Sequence, residues 1–217
     1  MKHKLEDYMD WPEIEDLEYA ECSSPEDVLG PKEVDGDVLV RCFFPEAEAV
    51  SVKVKGKNRT LVMDKMDEEG YFASFLGCIK IPDYTYQVKY ANSASELCDV
   101  YSIDHFVDAM DETMFENGSH DRIYEKLGAH VGNACGMKGT YFAVWAPNAV
   151  SVSIVGDFNH WDARRNPMKR LETGIFELFV PNVSEGDLYK YAIHGADGKF
   201  VLKADPYGYY NEKRPAN

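Results

Sequence analysis

The chain has 217 residues, of which 45% are hydrophobic and 28% charged, which is typical of one or two folded domains rather than a disordered protein. Its formal net charge of -15 repels nucleic-acid phosphates and anionic lipids, so we expect neither nucleic-acid nor membrane partners. No apolar run is long enough to span a bilayer, and no apolar segment follows the basic residues near Met1, so we also expect no secretory signal.

Cysteine usage indicates the compartment. The number of cysteines is odd and no Cys-x-x-Cys pair occurs, which argues against a disulfide framework and a zinc ribbon. Buried thiols in a reducing cytoplasm explain this usage best. The five residues are Cys22, Cys42, Cys78, Cys98 and Cys135.

The N-terminal extension, residues 1–27, is acidic and weakly patterned. Within it, Trp11, Ile14 and Leu17 recur at helical spacing, and Pro12 is a residue that commonly opens a helix. We predict a short helix that docks onto the rest of the chain.

The clearest strand pattern lies between residues 139 and 162. An aromatic and β-branched run, Tyr141 to Trp145, predicts a strand, and Pro147-Asn148 predicts a turn after it. Apolar residues from Val150 to Ile154 then alternate with Ser151 and Ser153, which predicts a second strand with one solvated face. A turn follows, and His160-Trp161 are expected on an exposed loop.

The same pieces occur about 100 residues earlier, in the same order, which indicates two copies of one fold. The matching segments are 70–75 with 174–179, 84–90 with 188–193, and 99–101 with 205–207. Each copy shows short strands with turn residues between them and no long helix, which is typical of an antiparallel β-sandwich. We therefore predict an all-β protein with two tandem immunoglobulin-like sandwiches, residues 28–102 and 126–217, joined by a helical linker, residues 103–125.

The linker carries a helical stripe of apolar residues, with Ser102 as the predicted N-cap and Asn117-Gly118 as the predicted stop. We expect this helix to face the core and hold the two sandwiches together, with a partner-binding groove as the alternative. The stripe consists of Ile103, Phe106, Val107, Met110 and Met114.

No catalytic motif accompanies the many carboxylates, which fall at turns and on a helix face, where solvated charge is the usual explanation. The six histidines lack metal-ligand spacing, and nucleophile-elbow and phosphate-loop patterns do not occur. We therefore expect no catalytic residues, no metal and no cofactor.

Aromatic and basic residues of the second copy suggest another kind of site. The apolar face of a pyranose stacks on an aromatic ring while its hydroxyls take hydrogen bonds from amide and ammonium groups. Trp161, Tyr189, Lys190 and Phe200 offer such parts, whereas the first copy has residues 56–61 in place of the Trp161 turn. From composition alone, a tryptophan at this position either covers an open end of the sheet or forms a platform for a ligand.

Five motifs occur together in the second copy: FAVWAPNA at 142–149, GDFNHWD at 156–162, Pro167-Met168, LYKY at 188–191 and KADPY at 203–207. As a set they resemble the N-terminal carbohydrate-binding module of 1,4-alpha-glucan (glycogen) branching enzymes, of the family-48, isoamylase type. The first copy and the linker resemble the same family, whose long bacterial members carry two such sandwiches.

This resemblance implies that an alpha-glucan, such as glycogen or a starch-like oligosaccharide, contacts Trp161, Lys190, Phe200 and Asn159. The family's transfer of glucan segments to a 6-hydroxyl occurs in a separate barrel of about 250 residues. That length does not fit after two sandwiches, so we expect a non-catalytic region whose partner is the barrel of the same polypeptide. Structural bracing of the barrel without sugar binding, or the N-terminal region of a debranching enzyme or trehalohydrolase, are the alternatives.

Overall fold

A computed structural model describes residues 4–56 and 60–211. Strands dominate, and they form four antiparallel sheets, two within residues 30–98 and two within residues 128–203. The predicted all-β, antiparallel class is therefore confirmed. Within the described part of the chain, no helix has both the length and the apolar character needed to cross a membrane.

The N-terminal extension contains a helix where the spacing predicts one. Helix α1 covers Trp11–Glu18 and helix α2 covers Pro25–Val28. Ile14 and Leu17 are buried and join a cluster on the first sheet, while Trp11 stays 43% exposed. The helix therefore docks through its aliphatic residues, not through the tryptophan.

The first pair of sheets shares one core. Side chains such as Val40 and Phe72 from one sheet pack in the same cluster as Val52 and Tyr86 from the other. One sheet has the order β1-β2-β6-β5 and the other β4-β3-β7-β8. The strands are β1 Gly30–Val34, β2 Asp37–Phe43, β3 Ala49–Val54, β4 Thr60–Val62, β5 Asp64–Lys65, β6 Tyr71–Phe75, β7 Tyr84–Lys89 and β8 Ala94–Cys98.

The second pair repeats this arrangement. Its core combines Phe142 and Phe176 from one sheet with Ile154 and Tyr191 from the other. The sheet orders are β12-β13-β10-β9 and β11-β14-β15. The strands are β9 Gly128–Ala134, β10 Met137–Trp145, β11 Ala149–Gly156, β12 Lys169–Arg170, β13 Ile175–Pro181, β14 Tyr189–Gly195 and β15 Phe200–Lys203.

Matching hydrogen bonds recur in the two pairs. Each pair buries one aspartate whose carboxylate accepts hydrogen bonds from two tyrosine hydroxyls and from the backbone N–H two residues further on. The sets are Asp99 with Tyr84, Tyr86 and Tyr101, and Asp205 with Tyr189, Tyr191 and Tyr207. The sequence similarity therefore corresponds to the same local structure twice.

The expectation that the serine-bearing face of β11 is solvated is wrong. Ser151 and Ser153 are only 3% and 2% exposed. The Ser151 hydroxyl donates to the Ala20 carbonyl oxygen at 3.0 Å, and Ser153 pairs with Pro167 in an isolated bridge. The small serine side chains let other segments approach, so the N-terminal extension covers part of this face.

The linker helix begins later than predicted. Helix α3 covers Ala109–Glu116, with Asp108 as its N-cap in a capping box with Asp111. Upstream, the backbone N–H groups of Phe106 and Val107 donate to the Glu177 carboxylate instead of to a helix. Ser102 lies in a 3-10 turn, so the predicted N-cap is wrong.

The predicted end of α3 is confirmed, because Asn117 is its C-cap and Gly118 adopts a φ of +66°. The predicted apolar stripe is confirmed only at Val107, which is buried; Val107 precedes the helix, and Met110 within the helix is 68% exposed. Described contacts of α3 run to the second pair of sheets: Phe115 packs edge-on against Trp145, and Glu112 accepts a hydrogen bond from Thr173. The helix therefore covers this pair and is not wedged between the two pairs.

Contacts between the two pairs come from elsewhere in the chain. The Tyr101 hydroxyl donates to the Pro167 carbonyl oxygen at 2.8 Å. Arg165 pairs with Glu46 at 2.9 Å across the junction. These contacts fix the relative position of the two pairs.

We expect Asp111→Asn to lower the free energy of unfolding by about 1–2 kcal/mol at neutral pH, because Asp111 accepts charge-assisted hydrogen bonds from Lys126 at 2.7 Å and His120 at 2.9 Å. Burial alone would raise the pKa of the Asp111 carboxyl, but these hydrogen bonds outweigh it and lower the pKa. A lowered pKa in the folded state stabilises above the unfolded pKa, and that contribution is lost as the pH falls through the folded value. Urea denaturation at pH 7 and pH 3 measures both effects.

The exposed Asp121 provides the control, since Asp121→Asn removes a nearby linker carboxylate that has no ion pair among the described residues. Equal stability of the Asp111→Asn variant and the native chain at pH 7 would show that the cluster contributes nothing.

Candidate functional site

The candidate site begins at the turn that follows β11. Residues Asp157–Asn159 form one 3-10 turn, after which His160 and Trp161 both adopt left-handed backbone conformations, with φ of +59° and +60°. A positive φ is unusual for a tryptophan and costs on the order of 1 kcal/mol or more. The backbone N–H of Trp161 donates to the Gly156 carbonyl oxygen at 2.9 Å, which closes the turn.

Asn159 holds this turn from the inside. It is 5% exposed, its amide oxygen accepts from the Gly156 N–H, and its amide nitrogen donates to the Ile154 carbonyl and the Asn166 side chain. These contacts use both amide protons and the carbonyl. Asn159 therefore lies below the surface on which a sugar would be expected.

The Trp161 indole stands at the surface with a fixed orientation. Its Nε1 donates to an Asp157 carboxylate oxygen at 2.8 Å, and the residue is 40% exposed. An indole anchored by its polar edge leaves apolar ring surface available to a ligand. Trp161 is therefore not a buried ring that covers the open end of the sheet, which was the alternative to a platform for a ligand.

Trp161 and Lys190 line the same surface depression, which has a volume of about 560 Å³. Lys190 lies in β14 opposite Val155 of β11. Its neighbours Tyr189 and Tyr191 pack toward the core, so Lys190 is on the outer face of the sheet. Among the described residues, none forms an ion pair with the Lys190 ammonium, which leaves it able to donate to a bound hydroxyl.

Phe200 lies on the same outer face but at the other end of the sheet. It is 54% exposed in β15 and opposite His194, which is four residues, or about 13 Å, along β14 from Lys190. His194 Nε2 lies 3.7 Å from a carboxylate oxygen of Glu21 in the N-terminal extension. The structure thus brings Trp161 and Lys190 together and leaves Phe200 outside their depression.

Two exposed leucines of the depression, together with Ala204 and Tyr210 in its lining, are not among the sequence-predicted contacts. Leu188 and Leu202 are 40% and 47% exposed and line it beside Trp161. Leu188 belongs to the LYKY motif at 188–191, and Leu202 belongs to the run Phe200-Val201-Leu202, which has the pattern of an ordinary strand until its position at the sheet edge is known.

Tyr189 contributes through the fold. Burial, together with a hydrogen bond to Asp205, raises the pKa of its phenol, so the hydroxyl stays protonated and donates to that carboxylate at 2.5 Å. Its ring packs at 4.8 Å between ring centroids against Phe142. Tyr189 therefore supports the depression from below.

The first pair of sheets has a different structure at the corresponding place. There the short strand β4 pairs with β3, whereas the second pair has the Trp161 turn and the bridge between Ser153 and Pro167. The sequence analysis compared residues 56–61 with the Trp161 turn, and of these, residues 57–59 lie outside the described residues.

Two protein families match consecutive parts of the chain. The family described as alpha-1,4-glucan branching enzyme GlgB, N-terminal domain, matches residues 10–101, and carbohydrate-binding module 48 (isoamylase N-terminal domain) matches residues 126–208. This chain belongs to the N-terminal region of the branching enzyme family. The resemblance of the motifs is therefore confirmed.

Curated relatives agree with this membership. The chain is 42% identical over 191 residues to the 1,4-alpha-glucan branching enzyme GlgB of Mesorhizobium japonicum, covering 87% of the chain and 26% of that protein. It is 38% identical over 213 residues to the enzyme of the same name from Prochlorococcus marinus, covering 96% of the chain and 28% of that protein. The chain thus spans about a quarter of the length of these branching enzymes.

Among solved structures, a pullulanase from Anoxybacillus sp. LM18-11 matches with a TM-score of 0.32 and 16% identity, covering 82% of this chain and 25% of that protein. At this score the similarity supports no conclusion about this chain.

Proposed function

We propose that this chain is a non-catalytic alpha-glucan-binding region of a 1,4-alpha-glucan branching enzyme, and that the Trp161 depression is its binding surface. The exposed Trp161 ring, anchored through Asp157, is the observation that carries the proposal. One apolar sugar face would stack on this ring, and the Lys190 ammonium would donate to the hydroxyl rim. The region would thereby hold glucan near the chemistry of the whole enzyme.

The roles of the other predicted contacts follow from their surroundings. We assign Asn159 to holding the Trp161 turn, because its amide is fully used inside the protein. Phe200 would contact only a longer chain that extends along the sheet past Leu202. A ligand of several glucose units is therefore favoured over a single sugar.

We also propose the domain division into two tandem immunoglobulin-like sandwiches, residues 28–102 and 126–217, joined by the linker at 103–125 and preceded by the extension at 1–27. The paired cores and the repeated aspartate–tyrosine sets support it. In the whole enzyme, the catalytic barrel of the same polypeptide would be the partner. Five free thiols are compatible with the reducing cytoplasm proposed as its compartment.

Trp161→Ala should weaken maltoheptaose binding by about 1–2 kcal/mol, or about five- to thirty-fold, because the stacking surface is lost. Isothermal titration calorimetry measures the affinity, and native electrophoresis in glycogen-containing gels gives an independent comparison. Trp145→Ala is the matched control: Trp145 is 52% exposed, but it lies in the other sheet of this pair and donates to the Thr173 carbonyl oxygen.

The two tryptophan variants separate the alternatives. If the native chain binds no glucan, the region only braces the barrel and the proposal fails. If Trp145→Ala lowers the affinity and Trp161→Ala does not, the binding surface lies on the other sheet.

A further inference from the structure

A second cavity lies at the junction of the two sheet pairs and is lined in part by residues of the turn before Trp161. Its volume is about 560 Å³, within the range of small-ligand sites. The first pair contributes the end of β2 and the β7–β8 turn, and the second contributes the turn before Trp161 and the end of β13. We call this cavity the junction cleft.

The walls of the junction cleft combine aromatic rings with amide and hydroxyl groups. Phe44, Tyr90 and Phe158 supply the aromatic surface, and Asn92 and Ser95 belong to its polar lining. Phe44 and Tyr90 are partly buried, whereas Asn92 and Ser95 are exposed. A pyranose is bound by aromatic rings that stack on its apolar face and by amide and hydroxyl groups that form hydrogen bonds with its hydroxyls.

The charges in the junction cleft compensate one another. Arg165 lies 2.9 Å from Glu46 of the first pair and 3.5 Å from Asp162 of its own turn. In a chain with a formal net charge of -15, such a locally balanced cavity offers no excess charge to bind an ionic ligand. A neutral, hydroxyl-rich ligand matches it better than a nucleotide or an acidic peptide.

The position of the junction cleft connects it to the Trp161 depression. Residues 158–160 line the cleft, and the next residue, Trp161, lines the depression. A single turn therefore contributes residues to both surfaces, and His160, exposed on its left-handed backbone, is the cleft residue that directly precedes Trp161.

We infer that the junction cleft is a second alpha-glucan subsite, formed only where the two sheet pairs meet. This inference rests on the proposed function, because the ligand of the junction cleft is of the same class as the ligand proposed at Trp161. The subsite gives the first sheet pair a role in binding even though β4 replaces the tryptophan turn there. It also makes affinity depend on both pairs being present.

A blocking substitution tests the junction cleft. Ser95→Trp places a large side chain in it, and Ala94→Trp is the matched control, because Ala94 is exposed on the same strand, does not line the cleft and points to the opposite face. Maltoheptaose is titrated calorimetrically into the native chain, Trp161→Ala, Ser95→Trp, Ala94→Trp and the Trp161→Ala/Ser95→Trp double variant. Thermal unfolding of each variant verifies that it is folded.

We expect Ser95→Trp to weaken maltoheptaose binding at least five-fold, Ala94→Trp to leave it unchanged, and the double variant to bind more weakly than either single variant. Native affinity in Ser95→Trp, or an equal loss in Ala94→Trp, overturns the inference while leaving the Trp161 surface in place. Loss in Ser95→Trp with none in Trp161→Ala supports the cleft and overturns the Trp161 assignment. Absence of binding in the native chain overturns both.

Discussion

Replacing Asp99 with alanine is expected to lower the free energy of unfolding by about 3–5 kcal/mol, the largest effect predicted for this chain. The 3%-exposed carboxylate accepts from the hydroxyls of Tyr84 and Tyr86 and from the Tyr101 N–H. Alanine leaves these three donors without their acceptor in a region with little water, where each unsatisfied group costs about 1–3 kcal/mol.

Asparagine at the same position should cost less, with a characteristic pH dependence. Burial raises the pKa of the Asp99 carboxyl, and the tyrosine and backbone hydrogen bonds counter that rise only in part. A raised folded pKa stabilises below the unfolded value and loses that contribution as the pH rises through the folded value. The neutral amide of Asp99→Asn lacks this titration, so its stability deficit should shrink as the pH rises from about 4, near the unfolded pKa.

Urea denaturation of Asp99→Ala, Asp99→Asn and Asp197→Ala between pH 4 and pH 7 measures both effects. Asp197 is the control, because it lies exposed in the turn between β14 and β15, with Lys199 as its neighbour. An Asp99→Ala variant within about 1 kcal/mol of the native chain would show that water or local rearrangement replaces the lost acceptor.

Local signals in the sequence predicted the strands and turns because the determining residues are close together in the chain. Asp35-Gly36, one of the turn pairs between the short strands of the first copy, is an example: both residues adopt positive φ, +50° and +82°, as a two-residue turn between β1 and β2 requires. The Pro147-Asn148 turn is another, closed by a hydrogen bond from the Ala149 N–H to the Ala146 carbonyl oxygen.

Features set by distant partners could not be predicted in this way. The linker residues before α3 have a helical pattern, yet Glu177, about 70 residues away, accepts their backbone N–H groups and keeps them out of the helix. The alternation at Ser151 is that of a solvated face, yet the N-terminal extension covers it. Neither Glu177 nor the N-terminal extension can be identified as a partner from the local sequence pattern.

The candidate site shows the same limit. The family resemblance implies four sugar contacts, Trp161, Lys190, Asn159 and Phe200, with Phe200 the loosest match, and of these four only Trp161 and Lys190 line the same depression. Only the fold separates them: Asn159 is buried under the turn, and Phe200 lies near His194 at the far end of the sheet. Family motifs record which residues occur together, whereas access to a ligand depends on packing.

Gly156→Ala is expected to destabilise the chain by about 3 kcal/mol and to disturb the Trp161 turn at the same time. A Cβ at this position would lie 2.3 Å from the Leu188 carbonyl oxygen and 2.5 Å from Cε1 of the Phe158 ring. The first is backbone beside β14 and the second is a ring packed against the core, so neither yields easily. The backbone at Gly156 is extended, with a φ of -174°, so the cost is steric and not conformational.

Gly36→Ala is the control for this substitution. Its Cβ would meet nothing within 4 Å, but its φ of +82° makes alanine cost about 1 kcal/mol. If denaturation gives equal losses for the two variants, the region between Gly156 and Leu188 relaxes and steric crowding does not determine the turn. The expected result is that Gly156→Ala lowers the free energy of unfolding by about 3 kcal/mol and binds maltoheptaose less tightly, while Gly36→Ala binds normally. The close contact at Gly156 then fixes both the end of β11 and the Trp161 indole. Because the Gly156 carbonyl accepts from the Trp161 N–H, a displaced backbone here must also move the indole.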